Sequence, residues 1–106
     1  IGTNGKFRSV DFSGANLAGA ILQNADLTSA RFAGADLTAA ILIGADLQNA
    51  NFVGADLTGA YLLGVKNAGS ANFIGAVLSG AYYFQETEFK GASFLPFDEP
   101  EAGKEG

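Results

Sequence analysis

The chain contains no cysteine, histidine, tryptophan or methionine. Without cysteine there is neither a disulfide nor a thiolate to serve as nucleophile or metal ligand. Without histidine the side chain that titrates nearest neutral pH is missing. Proline occurs only at Pro96 and Pro100, so nothing before them fixes φ or removes a backbone donor. No apolar run approaches the roughly 20 residues that a membrane-spanning helix needs. The first residue is Ile1 rather than methionine, which suggests a leader segment or tag removed ahead of it and leaves the compartment of this soluble chain open.

Charge is sparse as well, and unevenly placed. Residues 1–95 hold five basic side chains against seven acidic ones, whereas residues 96–106 hold one against four. The net charge of -5 is therefore mostly a property of the last segment, PFDEPEAGKEG, whose Pro, Gly and Glu predict a disordered, solvated tail. The length suits one domain. The expected organisation is a lead-in over 1–5, a folded body over 6–95 and the tail over 96–106.

What the sequence does contain is a period. From Phe12 to Leu62 every fifth residue is Phe or Leu, and two residues before each stands a small one, Val10 and then alanine from Ala15 to Ala60. Five fits neither an α-helix nor a flat strand. Within a unit, however, the small and large residues are two apart, so both can point inward while Asp or Asn between them points out, as on a short strand. The other two residues must turn the chain. Glycine or Asn ends most units, where a type II turn needs positive φ. Ser29 and Ala39 break that rule, so those two corners are expected to use another turn type.

A spacing of 20 sorts the inward residues by identity. Phe12, Phe32 and Phe52 share one column, Leu17, Leu37 and Leu57 the next, and Leu22, Leu42 and Leu62 the third. Four sides per coil follow. One inserted residue between Leu62 and Phe73, and another between Tyr83 and Phe89, would carry the aromatic column on through Phe73 and Phe94. The reading is an all-β, right-handed, quadrilateral parallel β-helix of about 4.5 coils with a core ladder of Phe12, Phe32, Phe52, Phe73 and Phe94 stacked at the roughly 4.8 Å strand spacing.

The tandem Ala-Asp/Asn-Leu/Phe-x-Gly units resemble the pentapeptide-repeat family, over about residues 5–95, with eleven consecutive units unbroken. The family is best known from cyanobacteria, the chloroplast lumen and certain quinolone-resistance proteins. The resemblance implies the same square β-helix and a place in cytoplasm, thylakoid lumen or periplasm. It leaves function open, since members include gyrase-binding DNA mimics and effectors. The pattern fails at residues 65–70, where Asn67 or Ala68 falls where leucine is due, and again at Gln85 and Glu86. A bulge or loosened corner is expected there, with the last coil and a half less regular than the first three.

Outward aspartates stacked one coil apart, Asp26 with Asp46 and Asp36 with Asp56, are the candidates for a catalytic acid/base pair. They are the default outward residues of the repeat and sit on flat sides without a cleft, so no catalytic, cofactor or metal site is assigned. A core filled at every level leaves no room for a small-molecule substrate. The helix would be about 22 Å long, and duplex DNA of that length carries roughly 13 negative charges. The body carries a net two, a poor match for the alternative function of a DNA-mimic regulator of gyrase or a similar enzyme.

One side stands out. Its outward residues are Ile21, Ile41, Tyr61 and Tyr82, flanked by Ile43, Leu63 and Phe84, whereas the other three sides present mostly polar residues. Such a patch marks an interaction surface on soluble proteins. The expected function is a non-enzymatic structural or interaction module that meets a protein partner or itself, a homodimer being the simplest form, with no direct nucleic-acid contact. Two competing possibilities are that the tail folds back over the patch through Phe97, and that copies associate through the end of the rod, where Tyr83, Phe84, Phe89, Phe94 and Phe97 cluster.

Overall fold

The computed structural model describes residues 3–94. Each pentapeptide forms one short side of a square coil, and equivalent sides of successive coils pair in parallel through single bridges. Four ladders result. The first runs Asp11, Arg31, Asn51, Asn72; the second Asn16, Asp36, Asp56, Val77, Ser93; the third Ile21, Ile41, Tyr61, Tyr82; the fourth Lys6, Asp26, Asp46, Lys66.

Backbone hydrogen bonds explain why the unit repeats. The N–H of Phe12 donates to the carbonyl of Arg31 at 2.7 Å, and the N–H of Arg31 donates back to Val10 at 2.9 Å. Each corner then closes on itself, as where the N–H of Ala15 donates to the carbonyl of Phe12 at 3.0 Å. The corner residue holds positive φ, 71° at Gly14, in the manner of a type II turn. Here the sequence expectation is corrected: Ser29 and Ala39 adopt the same left-handed conformation, with φ of 59° and 58°. A different turn would break the bonds those corners make to the next coil, from the N–H of Ser29 to Gln48 and of Ala39 to Thr58, both 2.8 Å. Stranding such a donor costs about 1–3 kcal/mol, enough to offset the roughly 1–2 kcal/mol that a Cβ costs in this region.

Inside, Leu22, Leu27, Phe32, Leu37, Leu42, Leu47, Phe52, Leu57 and Leu62 and the alanines between them are buried. Phe12, Phe32, Phe52 and Phe73 stack with ring centroids 5.1, 4.7 and 4.9 Å apart. At the N-terminal end Phe7 turns its edge to Phe12, and Phe7, Phe12 and Leu17 are only partly buried.

The two irregular segments resolve differently. At the first, Asn67 takes a left-handed conformation and turns outward, Ala68 fills the core position in its place, and a 3₁₀ turn over Ala68–Ser70 absorbs the extra residue. At the second, the expectation of one inserted residue is corrected. Six residues lead from Tyr83 to Phe89, with a 3₁₀ turn over Glu86–Glu88, where two sides of the square take ten, as from Leu22 to Phe32. The chain cuts across the corner and omits the fourth side. Val77 consequently pairs with Ser93, 16 residues on instead of 20 or 21. Phe94 therefore lies in the second column, above Leu78, and not in the phenylalanine ladder. Phe89 reaches Phe73 in its place, edge-on at 4.9 Å and 82°.

Candidate functional site

The regular side of the unit is polar for a reason in the backbone. The carboxylate or amide oxygen of Asp11, Asn16, Asp26, Asp36, Asp46, Asn51, Asp56 and Asn72 accepts the N–H two residues on, at 2.9–3.2 Å. This is an Asx turn: it satisfies a donor at the corner that the ladder leaves over. Where threonine stands at that second position, its hydroxyl donates to the same oxygen, as for Thr28, Thr38 and Thr58. The sequence reading gave these aspartates no such job. The spacing Asp-x-Thr at 26, 36 and 56 was the signal that could have shown it.

These bonds hold several carboxylates in the ionised form. Hydrogen bonds from Ser13 and from Thr38 lower the pKa of Asp11 and Asp36. Asp26 is lowered to about 2, first by the hydrogen bond from Arg8, whose Nε lies 2.6 Å from its Oδ2, and then by Thr28. Arg31 lies 3.4 Å from Asp11. Among the described residues no group of His, Cys, Asp or Glu could hold a metal ion, and no helix is long and apolar enough to cross a membrane. Tyr83 donates its hydroxyl to Glu86 at 3.1 Å and titrates higher than an ordinary tyrosine, chiefly because it is desolvated.

The third side departs from this scheme at every level. The first and second sides make the Asx bond at three levels each and the fourth side at two, whereas Ile21 and Ile41 have no side-chain oxygen and Tyr61 and Tyr82 carry theirs at the far end of the ring, out of reach of that N–H. Their side chains form a ladder on the outside of the rod. Ile21 pairs with Ile41 and Ile41 with Tyr61 in register, and the rings of Tyr61 and Tyr82 stack at 4.6 Å and 12°. Ile21 is 45% exposed, Tyr82 50% and Phe84 72%. Ile41, Ile43 and Leu63 are half-buried, packed between their neighbours along the ladder. Ile21, Ile41, Tyr61 and Tyr82 therefore lie along one side, with Ile43 and Leu63 at its corner, where their carbonyls accept the N–H groups of Asn24 and Gly44. Elsewhere Ile74 and Val10 are exposed singly. Of the aromatic cluster at the C-terminal end, Phe89 is buried, Tyr83 and Phe94 pack edge-to-face at 5.1 Å, and Phe97 lies outside the described residues.

A flat-sided coil of stacked pentapeptides, closed by left-handed corners, defines a class of solenoid, and the comparisons agree with that geometry. The family model for pentapeptide repeats matches eight copies over residues 6–42 and 40–66, more than half of the chain. The chain belongs to the pentapeptide repeat family, and its fold is the right-handed quadrilateral β-helix. No curated protein matches it. Among solved structures it is similar to alr5209, a pentapeptide repeat protein from Nostoc PCC 7120, at 29% identity and a TM-score of 0.55, over 87% of this chain and 79% of that one. It is also similar to HetL, a pentapeptide repeat protein involved in heterocyst differentiation regulation in Nostoc sp. strain PCC 7120, at 25% identity and a TM-score of 0.51; the alignment covers 87% of this chain and 58% of HetL. QnrB1, a plasmid-mediated fluoroquinolone resistance protein, shares the fold at 16% identity, with a TM-score of 0.51 over 89% of this chain and 67% of that one.

Proposed function

We propose that this chain is a non-enzymatic structural and interaction module, a stiff four-sided rod that offers its third side to a protein partner. The observation that carries the reading is the loss of the Asx residue at four successive levels of one side. An Asp or Asn there would contribute a hydrogen bond of about 0.5–1.5 kcal/mol to the corner. The fold alone gives no reason to give this up on one side in four, and then to place isoleucine and tyrosine at every vacated position. The result is a continuous apolar strip on a rigid support, the kind of patch that soluble proteins reserve for contacts. The outward aspartates have a structural task, since each accepts the corner N–H two residues on.

The test is a pair of substitutions on the strip, Ile41→Lys with Tyr61→Lys, chosen because Lys6, Arg31 and Lys66 already occupy the same outward position on other sides. The variant is expected to fold with the circular dichroism of the wild type and to lose its protein contacts. Equal retention of those contacts would contradict the reading. The alternative, a DNA mimic acting on gyrase, is less well supported. Arg8 and Arg31 lie against Asp26 and Asp11, so the carboxylates form no unbroken acidic strip, and the likeness to QnrB1 is one of fold. The expected result of a DNA supercoiling assay with gyrase is no inhibition; inhibition near stoichiometric amounts would favour the mimic.

A further inference from the structure

We infer that the occupant of the third side is a second copy of this chain, packed with its rod antiparallel to the first, an inference that rests on the reading of that side as a contact surface. The strip is graded. Ile21 and Ile41 form its N-terminal half, and Tyr61 and Tyr82 its C-terminal half. A two-fold axis lying in the interface, perpendicular to the rods and midway between the levels of Ile41 and Tyr61, sets Ile41 against the partner's Tyr61 and Ile21 against the partner's Tyr82. Every level then pairs one aliphatic with one aromatic side chain, and the gap between the two sides stays even over its whole height. Parallel rods would set isoleucine on isoleucine at one end and tyrosine on tyrosine at the other, which leaves a wedge-shaped void that close packing disfavours.

On the flank, Ile43 meets the partner's Leu63.

The area sets the strength. Four levels at the ring spacing of 4.6–5.1 Å give a strip about 20 Å tall, which buries on the order of 400 Å² per copy against the roughly 800 Å² of a standard interface. The dimer is therefore transient and concentration-dependent, with an affinity in the micromolar range or weaker. Segment 95–106 is a poorer occupant, because Leu95 and Phe97 are its only bulky apolar residues and it carries four acidic ones.

Sedimentation of the full chain from about 10 μM to about 1 mM tests the partner. The mass should rise toward twice the monomer, and the Ile41→Lys, Tyr61→Lys variant should remain monomeric with an unchanged spectrum. The absence of native cysteine makes the orientation testable too. Ile21→Cys and Tyr82→Cys proteins, each alone and then mixed, are treated with a short bismaleimide able to span the roughly 10 Å between packed sheets. The mixture should cross-link at least several-fold more than either protein alone. A wild type that stays monomeric throughout overturns the second copy, and if the double variant still loses a different protein partner, the contact surface itself stands. Association that survives the double variant overturns both. Stronger cross-linking of each single variant with itself would overturn the antiparallel arrangement.

Discussion

Residues 6–66 and residues 67–94 are built from the same pentapeptide, yet they close their coils under different rules. In the first region the sides from Asp26 to Tyr61 each pair with one coil below and one above. The ladder imposes the corner there even on Ser29 and Ala39, which have no intrinsic preference for positive φ. In the second region Ala68 is the small buried residue that succeeds Leu27 and Leu47 on the fourth side, and the chain abandons that side for a shortcut ending at Phe89. The ladder holds the left-handed corner even at Ser9, whose coil has a neighbour on one side only, whereas beyond Tyr82 the chain leaves the fourth side out and takes a shorter path.

The largest expected effect lies in the regular region. Phe52 is fully buried and stacked on both faces, so Phe52→Ala should lower stability by about 3–5 kcal/mol in denaturant unfolding. A loss under about 1 kcal/mol would remove that ring from the core. Phe89 is equally buried but is stacked on neither face, meeting Phe73 and Tyr83 edge-on. Phe89→Ala should therefore loosen the last coil before it unfolds the rod. Hydrogen exchange at the amides of Leu78 and Ser93 should accelerate, while that of Phe32 and Phe52 stays near the wild-type rate. Equal acceleration in both regions would show that the shortcut coil is no separate unit.

A smaller effect separates the two regions by pH. The folded-state pKa of Asp26 is about 2, below the roughly 4 of an unfolded aspartate. Its contribution is complete above about pH 4 and is lost as pH falls from there through about 2. Arg8→Gln should flatten the fall in melting temperature over that window. An unchanged profile would mean that the pair contributes nothing. Smallest of all, Ala39→Gly should raise stability by about 0.5–1 kcal/mol by relieving a Cβ in the left-handed region, whereas a turn that suited alanine would make glycine destabilising.

Much of this was legible beforehand because a period is a redundant signal. The columns, the four sides, the stack from Phe12 to Phe73 and the side on which the apolar residues fall all follow from spacing alone. The rest depended on energies that spacing does not display. Nothing in the run from Tyr83 to Phe89 says that six residues can replace ten, because that depends on whether an omitted side leaves backbone donors stranded. Phe94 was misassigned for that reason. The corners at Ser29 and Ala39 were misread because the decisive term is the ladder bond to the next coil, which local sequence does not show.

Whether the third side is apolar for contact and not for folding is tested most directly by the stability of Ile41→Asn in dilute solution, where no association contributes. Asparagine restores the Asx bond that other sides make, offsetting the packing lost from a half-buried isoleucine. The expected stability lies within about 1 kcal/mol of the wild type by denaturant unfolding. A loss of about 2 kcal/mol or more, the cost of a core residue, would contradict it.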